Sequence, residues 1–124
     1  MERTEPGNTK PATTSERQRV RHVFGVPLAP TYYRKGFFNV SVADQEWIGA
    51  DGEAIELFLG DAEKPVLGSI NRRANLNGSP RLMGGTAVRD WFAQSGREGD
   101  SLRIEVYSPN SVRLAIQKAA AREQ

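Results

Sequence analysis

Four short segments of this chain alternate apolar and polar side chains at a period of two, and that pattern limits the fold more than any other feature. In "FFNVSV" (37–42), Phe38, Val40 and Val42 share a face opposite Phe37, Asn39 and Ser41. In "EAIELFL" (53–59), Ile55, Leu57 and Leu59 oppose Ala54, Glu56 and Phe58. "SLRIEV" (101–106) turns Leu102, Ile104 and Val106 one way, and "SVRLAI" (111–116) does the same with Val112, Leu114 and Ile116. Successive side chains of a strand point to opposite faces, so each segment predicts a half-buried strand. Pro109 and Asn110 between the last two supply turn chemistry and predict a hairpin. "VRHVFGV" (20–26) and "PVLGSI" (65–70) read as further strands, with Gly25 and Gly68 as possible bends or bulges. Six or seven short strands joined by turns predict a barrel or a sandwich.

Two segments carry the helical period instead. "TAVRDWFAQSG" (86–96) offers Thr86 as N-cap and Gly96 as stop, with Val88, Trp91 and Phe92 on one face. "ADQEWIG" (43–49) reads as a shorter helix ending on Trp47 and Ile48. Such helices can plug an open barrel, which makes Trp47 and Trp91 core residues in expectation.

The chain has 124 residues, enough for one domain. The arm at 1–19 is rich in Pro, Thr, Glu and Arg and is expected to be disordered. The folded domain is expected over 20–117, leaving 118–124 as a tail or the start of a linker. There is no cysteine, which excludes disulfides and thiolate metal sites. No apolar run approaches the ~20 residues of a membrane span, and the N-terminus lacks a signal-like apolar segment. The expectation is a soluble, cytoplasmic protein.

Net charge is only +2, but its distribution is uneven. Gly36 to Glu63 holds seven acids and no base, and Lys64 to Arg89 holds five bases and no acid. Arginine outnumbers lysine thirteen to four. Genomic base composition accounts for such an excess as well as function does, but it does not produce the segregation. Arginine's planar fork suits bidentate recognition of phosphate or guanine.

Two connections stand out as acid-free and cationic. "APTYYRKG" (29–36) reads as a loop between the first two strands and offers Tyr32, Tyr33, Arg34 and Lys35. "INRRANLNGSPRLMG" (70–84) offers Arg72, Arg73, Asn75, Asn77, Ser79 and Arg81, and re-enters the barrel through Leu82 and Met83. Arg reaches guanine O6 and N7, and Asn reaches adenine N6 and N7, while Ser, Thr, Tyr and Lys position a protein on phosphates. The plainer alternative is a solvated loop whose arginines pair with the acidic block.

Other chemistry has less support. Asp61, Glu63 and Lys64 in "GDAEKP" lie in a hydrophilic link that reads as a hairpin turn, not a nuclease centre. His22 is the sole histidine and shows no triad or metal partners in the sequence. Neither catalysis, metal nor cofactor is expected.

The order of strand, basic loop, "GFFNV", short helix, acidic strand, "RANLNGSPR", "VRDWF" and "GDSLRIEV" resembles the DNA-binding pseudobarrels at the N-terminus of EcoRII-type restriction endonucleases. The plant B-three transcription-factor domains share that fold. The resemblance spans residues 20–117. It implies a mainly β fold, an open seven-stranded pseudobarrel with two short helices. It also implies that the 30–36 and 72–81 segments grip the major groove of double-stranded DNA as two arms. The resulting expectation is a sequence-specific duplex-binding domain, monomeric on DNA, with a nuclease domain or subunit as a candidate partner. Two alternatives stand beside it: a single-strand DNA or RNA binder stacking bases on Tyr32, Tyr33 and Phe37, and a protein-interaction module docking through its acidic face.

Overall fold

A computed structural model describes residues 19–97 and 99–118. The predicted arm and tail lie outside the described residues except for Arg19 and Lys118. The elements are β1 (His22–Pro27), α1 (Pro30–Lys35), β2 (Phe37–Asn39), a 3-10 helix (Val42–Trp47), β3 (Ala54–Leu59), β4 (Val66–Asn71), β5 (Arg81–Met83), α2 (Gly85–Ser95), β6 (Ser101–Ser108) and β7 (Ser111–Gln117). The seven strands form one sheet in the order β1-β6-β7-β3-β4-β5-β2, nearly closed into a barrel. All neighbours are antiparallel except β3 and β7, which run parallel from Glu56–Ser111 to Leu59–Leu114.

The period-two faces point where the alternation places them. Ile55, Leu57, Leu102, Ile104, Val106, Val112 and Leu114 are buried within the barrel. Phe38, Val40, Ile70 and Leu82 join the same core, together with Val88 and Phe92 of α2. Phe58 points to the opposite face of β3, yet it is also buried. Tyr107 meets it edge-on at 6.1 Å and the Arg113 guanidinium lies 4.8 Å from its ring centre. Tyr107 follows the inward-facing Val106 and so turns to that same face, and the β6–β7 register shifts between Val106 and Ser108. The bulge therefore lies at Tyr107, whereas Gly25 and Gly68 sit in unbroken ladders opposite Arg103 and Ile55. Gly68 has another reason to be glycine, since a Cβ there would run into the Met83 carbonyl.

Three further expectations need correction. The first cationic connection is not a loop: Pro30 to Lys35 form α1. Pro30 supplies the helical φ of the first turn, Arg34 and Lys35 face the negative end of the helix dipole, and Gly36 ends it at φ 73°. Six residues are too few to display a helical period, so tertiary packing of Tyr32 decides the conformation. The predicted strand 37–42 stops at Asn39, because the chain turns into the 3-10 helix and leaves Val42 exposed. Thr86 is not the N-cap of α2: that position is Gly84, whose N–H donates to the Gly36 carbonyl at 2.9 Å. A glycine there lets the helix start close to the α1 turn.

That close approach makes Gly36 irreplaceable. A Cβ on Gly36 would collide with the backbone carbonyl of Gly85, and the backbone is in the left-handed region. Gly36→Ala is expected to destabilise the fold by about 1–3 kcal/mol, read as a lower midpoint in urea at unchanged slope.

Candidate nucleic-acid interface

β1 and β2 are the two ends of the strand order, and the barrel remains open between them. A groove of about 540 Å³ occupies this seam. Gly25, Val26 and Pro27 form its β1 wall, and Asn39 to Val42 form the β2 side. Tyr32 from the first cationic segment and Asn75, Leu76, Asn77 and Ser79 from the second complete it. Both segments therefore reach one groove. Their charged side chains stand outside its lining.

The second segment is a braced loop. Asn71 Oδ1 accepts the N–H groups of Arg73 and Ala74 at 2.8 and 3.0 Å. Asn77 Oδ1 accepts both the N–H and the hydroxyl of Ser79, at 3.0 and 2.8 Å. Side-chain amides closing local turns in this way hold backbone that no strand ladder supports. Arg72 anchors the loop to the rest of the molecule. Its guanidinium donates to the carbonyls of Gly49, Ile48, Gln45 and Gly78 and to Gln45 Oε1, at 2.8–3.3 Å. All five N–H donors are engaged. The Arg72 backbone N–H also donates to Asp51 Oδ1 at 2.7 Å.

The ten side chains singled out in the sequence thus divide by environment. Tyr32 is buried, edge-on to Phe37 at 5.6 Å, and its hydroxyl accepts the Asn39 N–H at 3.3 Å. Tyr33 is half-buried and packed against the core. Ser79 is buried, and Asn75 donates to Asn39 Oδ1 and to the Ser79 carbonyl. With Arg72, these five hold the scaffold. Arg34, Lys35 and Asn77 are exposed. Arg73 has 88% of its side chain exposed and lies 3.2 Å from Asp51, so the acidic block does engage one arginine of the loop. Arg81 is half-buried, with its guanidinium 4.1 Å from the Phe37 ring centre and its Nε donating to Asn39 Oδ1.

Two residues of this region were not singled out from the sequence. Asn39 joins the arms: its Oδ1 accepts from Asn75 and Arg81, both at 3.1 Å, while its N–H meets Tyr32. A polar residue at the end of a short apolar strand was the available signal. Leu76 stands fully exposed at the loop apex. A lone leucine among arginines and asparagines was the signal there.

His22 does have a partner. Its Nε2 lies 2.9 Å from Asp44 Oδ1, and its ring stacks on Trp47 at 4.5 Å, tying β1 to the 3-10 helix across the seam. Ser41 Oγ donates to the other oxygen of Asp44 at 2.9 Å. The carboxylate sits between hydroxyl and imidazole, so the ring is not placed on the hydroxyl as nucleophile activation requires. Trp47 and Trp91 are half-buried and packed against the core. Among the described residues, no group of three or more His, Cys, Asp or Glu could hold a metal ion. The 60–65 link, with Asp61, Glu63 and Lys64 all exposed, joins the antiparallel strands β3 and β4. At Glu53, Asn110 Nδ2 and then the Ala50 N–H hold the carboxyl below the ordinary glutamate value. No described helix is long and apolar enough to cross a membrane.

No protein family matches the chain, and no curated protein matches it. Among solved structures, the fold is similar to that of a hypothetical protein of Arabidopsis thaliana, with a TM-score of 0.57 and 13% sequence identity. The match covers 80% of this chain and 92% of that one. Identity this low speaks for a shared fold alone.

Proposed function

We propose that this protein is a sequence-specific binder of double-stranded DNA that holds the major groove between α1 and the 71–80 loop. The observation carrying this reading is that both acid-free segments contribute to one groove at the open seam of the barrel, Tyr32 from α1 and Asn75, Leu76, Asn77 and Ser79 from the loop, while Arg34, Lys35 and Arg73 of the same segments are exposed. Fixed loops support sequence readout, because a side chain discriminates bases only when its donors are held in register. The resemblance to restriction-endonuclease effector domains and plant B-three domains agrees with this reading. It also suggests a nuclease domain or subunit as a functional partner.

A single-strand binder would need exposed aromatic platforms. Tyr32 and Phe37 are buried and Tyr33 is half-buried, which favours the duplex. The acidic face is partly engaged internally, Asp44 with His22 and Asp51 with the 71–80 loop, which weakens a docking role for it.

Fluorescence anisotropy with a pool of random labelled duplexes at low salt tests the proposal. Binding that falls steeply with salt and is outcompeted by duplex better than by single strands is expected. No binding to any duplex at low salt overturns it. Under the same reading, Lys35→Ala weakens all duplexes alike and reduces the salt slope by about one phosphate contact. Arg81→Ala instead relaxes preference at one base position, measured by binding-site selection.

A further inference from the structure

We propose that Leu76 reads the 5-methyl group of a pyrimidine, thymine or 5-methylcytosine, on the major-groove edge of the DNA. This inference rests on the duplex-binding reading above. Leu76 sits at the apex of the 71–80 loop with its side chain wholly in water. Leu67, also largely exposed on β4, is not part of the groove wall, whereas Leu76 is. Val42, half exposed, lines the same groove from the β2 side. Leu76 and Val42 thus stand exposed on a groove whose lining also holds the amides of Asn39, Asn75 and Asn77, with the cationic side chains of both segments outside it.

The apex is held in place. Asn71 and Asn77 close turns on either side of Leu76, the Gly78 N–H donates to the Asn75 carbonyl at 3.0 Å, and Arg72 fixes the loop base from five directions. A leucine on a mobile tip would move out of any polar contact, but this one is fixed in its exposed position. Phosphates and the donor and acceptor atoms of bases offer it nothing. The apolar group on the major-groove edge of a base pair is the C5 methyl of the pyrimidine. Arginine and asparagine beside it would supply polar readout, and Leu76 would add readout of the methyl.

The test uses the full chain and the duplex it enriches from a random library. That duplex is resynthesised with deoxyuridine at each thymine in turn, and separately with 5-methylcytosine at each cytosine. At one position the methyl group should tighten wild-type binding about fourfold, as burial of one methyl predicts. The position identifies the source as thymine or 5-methylcytosine. Leu76→Ala should keep its melting temperature and bind both versions equally, while Leu76→Val keeps the preference. The proposal falls if the wild type ignores the methyl at every position, or if Leu76→Ala still distinguishes the two. It also falls if Leu76→Ala weakens both versions alike, which would indicate a wedge between base steps. Failure of the underlying reading looks different: no duplex is enriched at all, and both proposals go.

Discussion

Arg72→Ala is expected to lower the unfolding free energy by about 2–4 kcal/mol, although the residue reads from sequence as a ligand contact. Four of its five donors tie the 71–80 loop to Gln45, Ile48 and Gly49, more than twenty residues away in the chain. Removing the guanidinium breaks all of these bonds together and leaves partly buried carbonyls to water. Hydrogen bonds to a charged group contribute about 1.5–3 kcal/mol each when removed singly, but bonds from one head are not additive. Arg72→Lys should recover less than half, because a compact ammonium cannot reproduce a planar fork of five donors. The neighbouring Arg73→Ala is the control. Its side chain is exposed and its ion pair with Asp51 is at the surface, so its effect should stay within about 0.5 kcal/mol. Urea unfolding of the three variants settles the matter. Equal midpoints for Arg72→Ala and Arg73→Ala would mean that the clamp contributes nothing.

The second large effect is expected at Phe38. β2 is a three-residue strand at one end of the sheet, paired with β5 alone through Phe37–Met83, Phe38–Leu82 and Asn39–Arg81. So short a ladder cannot hold an edge by itself. Phe38 is wholly buried and edge-on to Phe92 of α2 at 6.5 Å. Phe38→Ala should therefore cost about 3–5 kcal/mol, and Phe38→Leu about 1.5 kcal/mol or less. The loss also reaches the candidate interface, since Asn39 follows directly and joins Asn75, Arg81 and Tyr32. Hydrogen exchange at the Val40 amide, which donates to the Pro80 carbonyl, should accelerate well before global unfolding. Exchange at that amide no faster than in β6 would show that β2 is not a weak edge.

The elements legible in the sequence are those whose signal is local. β3, β6 and β7 begin and end within a residue or two of their alternating segments, because period-two burial is written into each segment. The hairpin at Pro109–Asn110 follows from turn chemistry within four residues. β5 and α1 are shorter than any period can register. In α1, the proline start and glycine stop were present but lay in a segment whose cationic character suggested a loop. The parallel pairing of β3 with β7 joins residues more than fifty apart and leaves no local trace.

The same division holds for the candidate interface. Composition alone located both segments, since acid-free cationic stretches depend only on what the chain contains. Which of their side chains face solvent was decided elsewhere. Arg72 and Arg73 are adjacent and chemically identical, yet one is locked to four carbonyls and the other, 88% exposed, pairs with Asp51 at the surface. A guanidinium is captured according to which carbonyls the fold brings beside it, and three of these four, at Gln45, Ile48 and Gly49, lie more than twenty residues away in the chain. The sequence alone determined β3, β6 and β7, the hairpin turn between the last two, and where the charge lies along the chain. Only tertiary structure determined which of those charges stay exposed to solvent.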